Sequence, residues 1–169
     1  MASKETYAPV SLEICAGAGG QALGLEEAGF EHIRLAEIDS DACSTLRYNR
    51  PSWKVAQTDI CEFSAAPFKG IDLLSGGVPC PPFSKAGKQL GTSDERNLFP
   101  EALRMVDECR PTAIMLENVR GFLDAVFETY RKFIDTELKK MGYVTSWRLL
   151  NACDFGVPQL RPRVVLVGV

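Results

Sequence analysis

Cys80 is the residue whose surroundings most clearly point to chemistry. Residues 75–84 read Ser-Gly-Gly-Val-Pro-Cys-Pro-Pro-Phe-Ser, so a single thiol lies among three prolines. The preceding apolar run, 71–74, predicts a short buried strand, and the two glycines after it permit a sharp turn before the prolines stiffen the chain. Ligand sites in open α/β sheets gather beyond strand ends. Cys80 is therefore a candidate nucleophile, with a buried structural cysteine as the ordinary alternative.

A carboxylate and two arginines form a second candidate set. The apolar run 113–116 predicts a buried strand, with Glu117 at its end and a turn after it. Arg161 and Arg163 flank a proline just before the last apolar run, 163–169. Ordinary surface arginines are the alternative interpretation, but this position next to a predicted strand favours a role in a site.

A strand, a glycine turn and a helix begin the chain. Residues 9–15 predict the strand, Ala16-Gly17-Ala18-Gly19-Gly20 the turn and residues 21–28 the helix, which Gly29 ends. This layout lets the backbone approach a bound nucleotide closely. The glycine spacing departs from the Gly-x-Gly-x-x-Gly pattern of dinucleotide sites, which argues against a nicotinamide cofactor.

Acidic residues end the next two predicted strands. Glu37 follows the strand 33–36, where a carboxylate can accept hydrogen bonds from ribose hydroxyls. We expect Asp39 or Ser40 to cap the helix 41–49 instead. Asp59 follows the short strand 54–56 and could accept from an adenine amino group.

Length and composition predict one domain over residues 1–169, with 46% hydrophobic residues and a net charge of −3. The candidate residues above make it a catalytic and cofactor-binding domain. No apolar run is long enough to span a bilayer and the first ten residues lack a signal core, which predicts a cytoplasmic protein with reduced thiols.

The six cysteines form no Cys-x-x-Cys pair and the lone His32 has no partner at ligand spacing, so we expect no metal site and a surface role for His32.

Strands and helices alternate along the chain. Further helices are predicted at 97–109 and 129–141, and the final strands at 143–150 and 163–169 have no helix between them. The pattern predicts an α/β, Rossmann-like fold with a mostly parallel sheet, helices on both faces and a C-terminal antiparallel hairpin. The polar residues 85–95 predict a loop.

Taken together, these segments resemble the DNA (cytosine-5)-methyltransferase family. The matching segments, in the family's order, are 15–20 (Cys-Ala-Gly-Ala-Gly-Gly), 37–39 (Glu-Ile-Asp), 59–60 (Asp-Ile), 79–84 (Pro-Cys-Pro-Pro-Phe-Ser), 97–99 (Asn-Leu-Phe), 117–119 (Glu-Asn-Val) and 159–163 (Gln-Leu-Arg-Pro-Arg). Each segment is modest alone, and the series covers almost the whole chain.

The resemblance implies methyl transfer to carbon 5 of cytosine in double-stranded DNA. Cys80 would add to carbon 6, Glu117 would bind the ring nitrogen and the amino group, and Arg163, supported by Arg161, would contact the base carbonyl. The family flips the base out of the duplex. Further substrate contacts are expected at Val78, Ser84, Asn118 and Gln159. Lys85 of the polar loop could contact DNA phosphates, with a solvated loop as the ordinary alternative.

The implied cofactor is S-adenosylmethionine, without a metal. The resemblance places its methionine part against Cys15, Ala16, Gly17, Gly19 and Gly20. Glu37 would take the ribose, Ile38 would pack on the adenine, and Asp59 and Ile60 would hold the adenine edge. Pro79 and Leu98 would line the pocket.

Two side chains depart from the family pattern, since Cys15 stands where many members have phenylalanine and Pro81 where glutamine is common. The chain also reaches Val169 without the family's target-recognition region or its final cofactor-pocket motif. We therefore expect the chain to be one subunit of a split methyltransferase or a fragment, with a second polypeptide supplying both, in a bacterial or phage-like restriction-modification setting. Three alternatives stay open, namely a non-catalytic or regulatory subunit, a transfer-RNA cytosine-5 methyltransferase and a nucleotide-dependent oxidoreductase.

Overall fold

The computed structural model describes residues 7–79 and 97–169. The strands are β1 (Val10–Ile14), β2 (Glu31–Glu37), β3 (Val55–Gln57), β4 (Leu73–Gly77), β5 (Ala113–Val119), β6 (Thr145–Asn151) and β7 (Pro162–Gly168). The α-helices are α1 (Gly20–Glu27), α2 (Ser40–Asn49), α3 (Phe99–Cys109) and α4 (Glu128–Lys140). Short 3-10 turns lie at Ala66–Phe68, Arg120–Leu123, Ala125–Phe127 and Ala152–Phe155.

The described strands form one sheet in the order β3-β2-β1-β4-β5-β7-β6. The pairs from β3 to β5 are all parallel, and β7 lies antiparallel between β5 and β6. Parallel neighbours need crossover helices, whereas β6 and β7 are joined without an α-helix. The predicted mostly parallel sheet with a C-terminal antiparallel pair is confirmed.

Apolar side chains cover both faces of the sheet because successive residues of a strand point to opposite faces. Leu12 and Ile14 of β1 belong to the larger cluster, with residues of α3 and α4. Leu35 of β2 belongs to a second cluster, with Ala22 of α1 and Leu46 of α2. The two clusters place helices on both faces, as the alternating pattern predicts.

Two predicted strand ends are wrong, in both cases because the strands continue. Gly76 and Gly77 lie inside β4 and do not form a turn. A Cβ at Gly76 would lie 2.5 Å from the backbone oxygen of Ile14, so this glycine permits close approach of β1 and β4. Glu117 likewise lies within β5, which continues to Val119.

His32 is half-buried, which corrects its predicted surface role. Its Nδ1 lies 2.8 Å from Ser11 Oγ, and its Nε2 lies 2.8 Å from the carbonyl oxygen of Ala22. Burial lowers the pKa of this imidazole. His32 therefore connects β1, β2 and α1 as a structural residue.

The described parts of the chain have neither a metal-binding cluster nor a membrane-spanning helix. Residues 7–79 and 97–169 contain no group of three or more His, Cys, Asp or Glu side chains that could hold a metal ion. No helix in the same two ranges is both long and apolar enough to cross a membrane.

Candidate active site

Two adjoining cavities lie at the carboxyl ends of the parallel strands. The first, of about 430 Å³, lies between β2 and α3, and we call it the β2 cavity. The second, of about 600 Å³, lies between α1 and β5, and we call it the β5 cavity. Cys15 and Gly77 line both, so the two spaces meet where β1 and β4 end side by side. This edge of an open α/β sheet is the usual place for a ligand.

The glycine turn after β1 forms a wall of the β5 cavity. Ala16, Gly17 and Gly20 line that cavity. Gly19 has a φ of 92° and faces away from it, because a Cβ there would lie 2.6 Å from Leu46 Cδ2. The turn therefore needs glycine at position 19 for packing against α2, while Gly17 presents its backbone to the site.

Glu37 holds this turn in place from β2. Its Oε2 accepts a 2.7 Å hydrogen bond from the Gly17 N–H, and its Oε1 accepts from the N–H groups of Ile38 and Asp39, both at 2.8 Å. The carboxylate is 8% exposed and lines the β2 cavity. A carboxylate has about four acceptor positions, so it can take a further donor from a ligand.

The expected division of roles between Glu37 and its neighbours is confirmed for the helix cap. Asp39 is the N-cap of α2, and its Oδ1 accepts a 2.7 Å hydrogen bond from the Ala42 N–H. The ribose contact of Glu37 stays a prediction. Its bonds to the turn were not expected, since they depend on two segments that meet only in the folded sheet.

The opposite wall of the β2 cavity combines polar and apolar groups. Asp59 lines it and accepts a 2.8 Å hydrogen bond from the Cys61 N–H on Oδ1. Ile60 is buried and Ile38 is 63% exposed at the rim. Pro79 and Leu98 also line the cavity. The structure thus brings together the residues that were predicted for adenine and ribose.

Glu117 and Arg163 form an ion pair beside the β5 cavity. Arg163 Nε donates to Glu117 Oε1 at 2.6 Å, with the two side chains 25% and 30% exposed. The other oxygen, Oε2, faces Gly77, where a Cβ would lie 3.4 Å away. Glu117 and Arg161 line the cavity, and Arg161 is exposed. The predicted carboxylate and arginines therefore converge on the space beside the glycine turn.

Glu13 was not predicted as a site residue, although it also lines the β5 cavity. It is 1% exposed, and its Oε2 has no hydrogen-bond partner among the described residues. Burial raises the pKa of this carboxyl to about 8. A single acidic residue within the apolar first strand was the sequence signal that could have identified it.

The thiols of the described cysteines are poorly suited to ionisation. Burial raises the pKa of Cys15 to about 12, with further contributions from Glu37 and Asp59, and raises that of Cys109 to about 11. The pKa values of Cys43, Cys61 and Cys153 are raised as well, mainly by desolvation. Because the thiolate is the reactive form, none of these five is an activated nucleophile.

Some residues that were predicted for the site do not line the cavities, and others lie outside the described residues. Val78 is buried in the core, and its carbonyl oxygen accepts a 2.8 Å hydrogen bond from Asn118 Nδ2. Asn118 is 5% exposed, and Gln159 is exposed but lines neither cavity. Cys80, Pro81, Ser84, Lys85 and the predicted loop 85–95 lie outside the described residues. Their substrate contacts stay predictions.

Comparison with known proteins shows a series of related methyltransferases. Over 94% of this chain, 63% of residues are identical to the type II methyltransferase M.NgoMIV of Neisseria gonorrhoeae and 55% to M.NaeI of Lentzea aerocolonigenes. The match covers 51% and 39% of those proteins, so the chain spans about half the length of these relatives or less. The type II methyltransferase M.AquIA of Picosynechococcus is 37% identical, with 70% of its length covered.

Solved structures have the same fold. A crystal structure described as a DNA modification methyltransferase encoded within an Escherichia coli prophage superimposes with a TM-score of 0.81 at 28% identity, over 95% of this chain and 46% of that one. The structure of Spodoptera frugiperda DNMT2 gives a TM-score of 0.78 at 27% identity, over 95% of this chain and 49% of the DNMT2 chain. The family model for C-5 cytosine-specific DNA methylases matches residues 10–169. The chain therefore belongs to the C-5 cytosine-specific DNA methylase family.

Proposed function

We propose that this protein transfers a methyl group from S-adenosylmethionine to carbon 5 of cytosine in double-stranded DNA. The observation that carries the proposal is the β5 cavity, which brings the glycine turn and Glu117 into one space. A cofactor on the turn and a base on Glu117 would meet there. The adjoining β2 cavity supplies room for a nucleoside on the other side of Cys15 and Gly77.

The described residues fit the proposed cofactor. The β2 cavity combines two carboxylates, Glu37 and Asp59, with apolar side chains such as Leu98. Carboxylates suit ribose hydroxyls and an adenine amino group, and the apolar walls suit the purine faces. The Gly17 backbone at the β5 cavity suits the amino-acid end. When bound, S-adenosylmethionine supplies an electrophilic methyl group.

The proposed nucleophile is Cys80. Carbon 5 of cytosine is a weak nucleophile, and addition of a thiolate to carbon 6 makes carbon 5 enamine-like. As the methyl group bonds to carbon 5, its bond to the sulfonium sulfur breaks and S-adenosylhomocysteine is the product. Loss of the proton from carbon 5 to a base, such as water, and expulsion of the thiolate then restore the ring. Two observations support Cys80, since Pro79 immediately before it lines the β2 cavity and the five described thiols all have raised pKa values.

Glu117 and Arg163 are proposed to hold the cytosine. Glu117 would bind the ring nitrogen and the exocyclic amino group, and would act as an acid catalyst at the ring nitrogen as the thiolate adds. Arg163 would bind the base carbonyl, with Arg161 at the cavity wall. Their ion pair fixes both side chains before the base arrives, which reduces the ordering cost of binding. A base within a duplex cannot reach this cavity, so the proposal includes base flipping.

Target recognition is proposed to require polypeptide beyond these 169 residues. The chain covers only 51% of M.NgoMIV and 39% of M.NaeI. Its net charge of −3 also gives no overall attraction to DNA phosphates. These contacts would come from a second polypeptide, or from further residues of a longer chain, with the target-recognition region and the final cofactor-pocket motif.

Covalent trapping tests the reaction. Duplex DNA of varied sequence with 5-fluorocytosine in place of cytosine is incubated with S-adenosylmethionine and the chain. Parallel mixtures contain the part of M.NgoMIV beyond the matched region, made as a separate polypeptide. Fluorine at carbon 5 blocks the final elimination, so a working nucleophile stays joined to the DNA. Cys80→Ala is the test variant, and Cys153→Ala, an exposed thiol, is the matched control.

We expect an adduct that forms only with the added polypeptide, disappears in Cys80→Ala and persists in Cys153→Ala. An adduct from the chain alone would contradict the need for a second polypeptide. An adduct that persists in Cys80→Ala would contradict the nucleophile. An adduct with 5-fluorocytosine RNA and none with DNA would transfer the proposal to an RNA substrate.

A further inference from the structure

Residues 58–65 contain no helix or strand, and the first four of them, which include Asp59 and Ile60, line the β2 cavity. Asp59 stabilises its own turn by accepting from the Cys61 N–H. Such a segment depends on contacts with its surroundings to keep Asp59 at a fixed distance from a ligand.

Arg104 of α3 supplies these contacts. Its Nη2 donates to the carbonyl oxygens of Ile60 at 2.8 Å and Phe63 at 3.0 Å. Both acceptors lie in the segment 58–65, and one of them directly follows Asp59. A planar guanidinium that binds two carbonyl oxygens fixes direction as well as distance.

Two carboxylates on the same helix orient the guanidinium. Arg104 Nε donates to Glu101 at 2.7 Å, and Nη1 donates to Glu108. Glu108 Oε2 also accepts from the Ala65 N–H at 2.7 Å and from Ser64 Oγ at 3.2 Å. The segment is therefore attached to α3 at both of its ends, through Ile60 and through Ala65.

The same helix also contributes to the lining of the cavity. Leu98 is the N-cap residue of α3 and lines the β2 cavity together with Asp59 and Ile60. A shift of the segment relative to α3 would therefore change the width of the cavity at the point where a purine would lie.

We infer that Arg104 is a positioning residue for adenine recognition, because it fixes the Asp59 segment at the correct distance from α3. The inference rests on the proposed function, since it takes the β2 cavity as the adenosine site. Arg104 lines neither cavity and is not itself a ligand-binding residue. A purely stabilising role would affect all ligands of the cavity equally, whereas a positioning role affects the contact made by Asp59.

The experiment compares S-adenosylhomocysteine with S-inosylhomocysteine, in which a carbonyl oxygen replaces the adenine amino group. Their dissociation constants are measured by calorimetry for the unaltered chain, for Arg104→Gln and for Arg110→Gln, each with the complementing polypeptide of the trapping experiment present. Arg110 is the matched control, since it is also an arginine of the α3 end and binds Asp107 and the Met141 carbonyl, away from the cavity. Thermal unfolding of each variant is recorded in parallel.

We expect the unaltered chain and Arg110→Gln to prefer the adenosine compound by about 10-fold or more, as for one hydrogen bond to a charged acceptor. In Arg104→Gln the preference should fall to about 3-fold or less, with weaker binding of the adenosine compound. If Arg104→Gln does not fold, Arg104→Lys provides the same comparison, because an ammonium cannot bind both carbonyl oxygens in the same planar arrangement.

An unchanged preference in a folded Arg104 variant would overturn the inference and leave the proposed function standing. Equal loss of affinity for both compounds would also overturn it, because that result indicates stabilisation alone. Failure of the unaltered chain to bind S-adenosylhomocysteine with the complementing polypeptide present would instead contradict the cofactor proposal on which the inference rests.

Discussion

Arg163 Nε lies 2.6 Å from Glu117 Oε1, across the antiparallel pair formed by β5 and β7. In the register of this pair Arg163 lies opposite Val119, two residues beyond Glu117, so the ion pair is diagonal and both side chains share one face of the sheet. Each side chain restricts the rotamers of the other before any ligand is present. The antiparallel insertion of β7 next to β5 is therefore what places an arginine beside the carboxylate.

Glu117→Gln should lower the rate of methyl transfer by about 100-fold or more, because an amide cannot take the carboxylate's part in proton transfer to the base. Affinity for S-adenosylhomocysteine should remain within about 2-fold, since the change lies on the base side of the β5 cavity. Single-turnover transfer, with the complementing polypeptide present, and calorimetry provide the two measurements. Glu128→Gln, which removes an exposed carboxylate paired with Lys132, is the control. Equal rates in the two variants would contradict the role of Glu117.

Glu37→Gln should destabilise the protein by about 1–3 kcal/mol, because a buried amide offers one acceptor oxygen to three backbone N–H groups and directs its own N–H groups at one of them. The freed Gly17 turn should also weaken S-adenosylhomocysteine binding by about 10-fold. Urea unfolding and calorimetry measure the two effects. Asp39→Asn retains the cap of α2 and should change stability by less than about 0.5 kcal/mol. A Glu37→Gln protein as stable as Asp39→Asn would show that the three bonds contribute little.

The pH dependence of the free energy of unfolding should reveal the protonation of the Glu13 carboxyl. Burial raises the pKa of its carboxyl from 4.5 to about 8, so the folded protein binds more protons than the unfolded chain between these two values. The contribution of this group to the free energy of unfolding is fully present below pH 4.5. It is lost as the pH rises to about 8, and the free energy of unfolding then falls by up to about 1.4 kcal/mol per pH unit.

Urea unfolding from pH 5 to 9 measures this dependence as the difference between the unaltered chain and Glu13→Gln. The difference is needed because the pKa of His32 is lowered by burial, so stability from His32 is lost as the pH falls below 6.5, which is the opposite direction. The amide of the variant does not titrate, so its stability should decline less with pH. Identical slopes in both proteins would mean that the Glu13 carboxyl is not held in its neutral form.

Gly76→Ala should destabilise the protein by about 3 kcal/mol or more, because the added Cβ would lie 2.5 Å from both the backbone oxygen and Cγ1 of Ile14. Gly24→Ala is the opposing control. A Cβ at this α1 position meets nothing within 4 Å, and alanine is favoured over glycine in a helix by about 0.5–1 kcal/mol. The melting temperature of Gly76→Ala should therefore lie below that of the unaltered chain, and the melting temperature of Gly24→Ala should lie above it. A tolerated Gly76→Ala would show that β1 and β4 can separate locally.

The sequence by itself determined the order of strands and helices and the acidic residues near the strand ends. These features follow from local rules, namely apolar periodicity, glycine turns and helix caps such as Asp39. Parallel strands also place their carboxyl ends at one edge, so Glu37, Asp59 and Glu117 could be expected together.

Only the tertiary structure decided which polar groups hold one another. The bonds of Glu37 to Gly17, of Arg163 to Glu117 and of Arg104 to Ile60 join segments distant in sequence. The extension of β4 through Gly76 likewise depends on its pairing with β1. These relationships arise from strand register and helix packing, which bring side chains within hydrogen-bond distance only when the whole sheet has formed, and local sequence patterns carry no information on that distance.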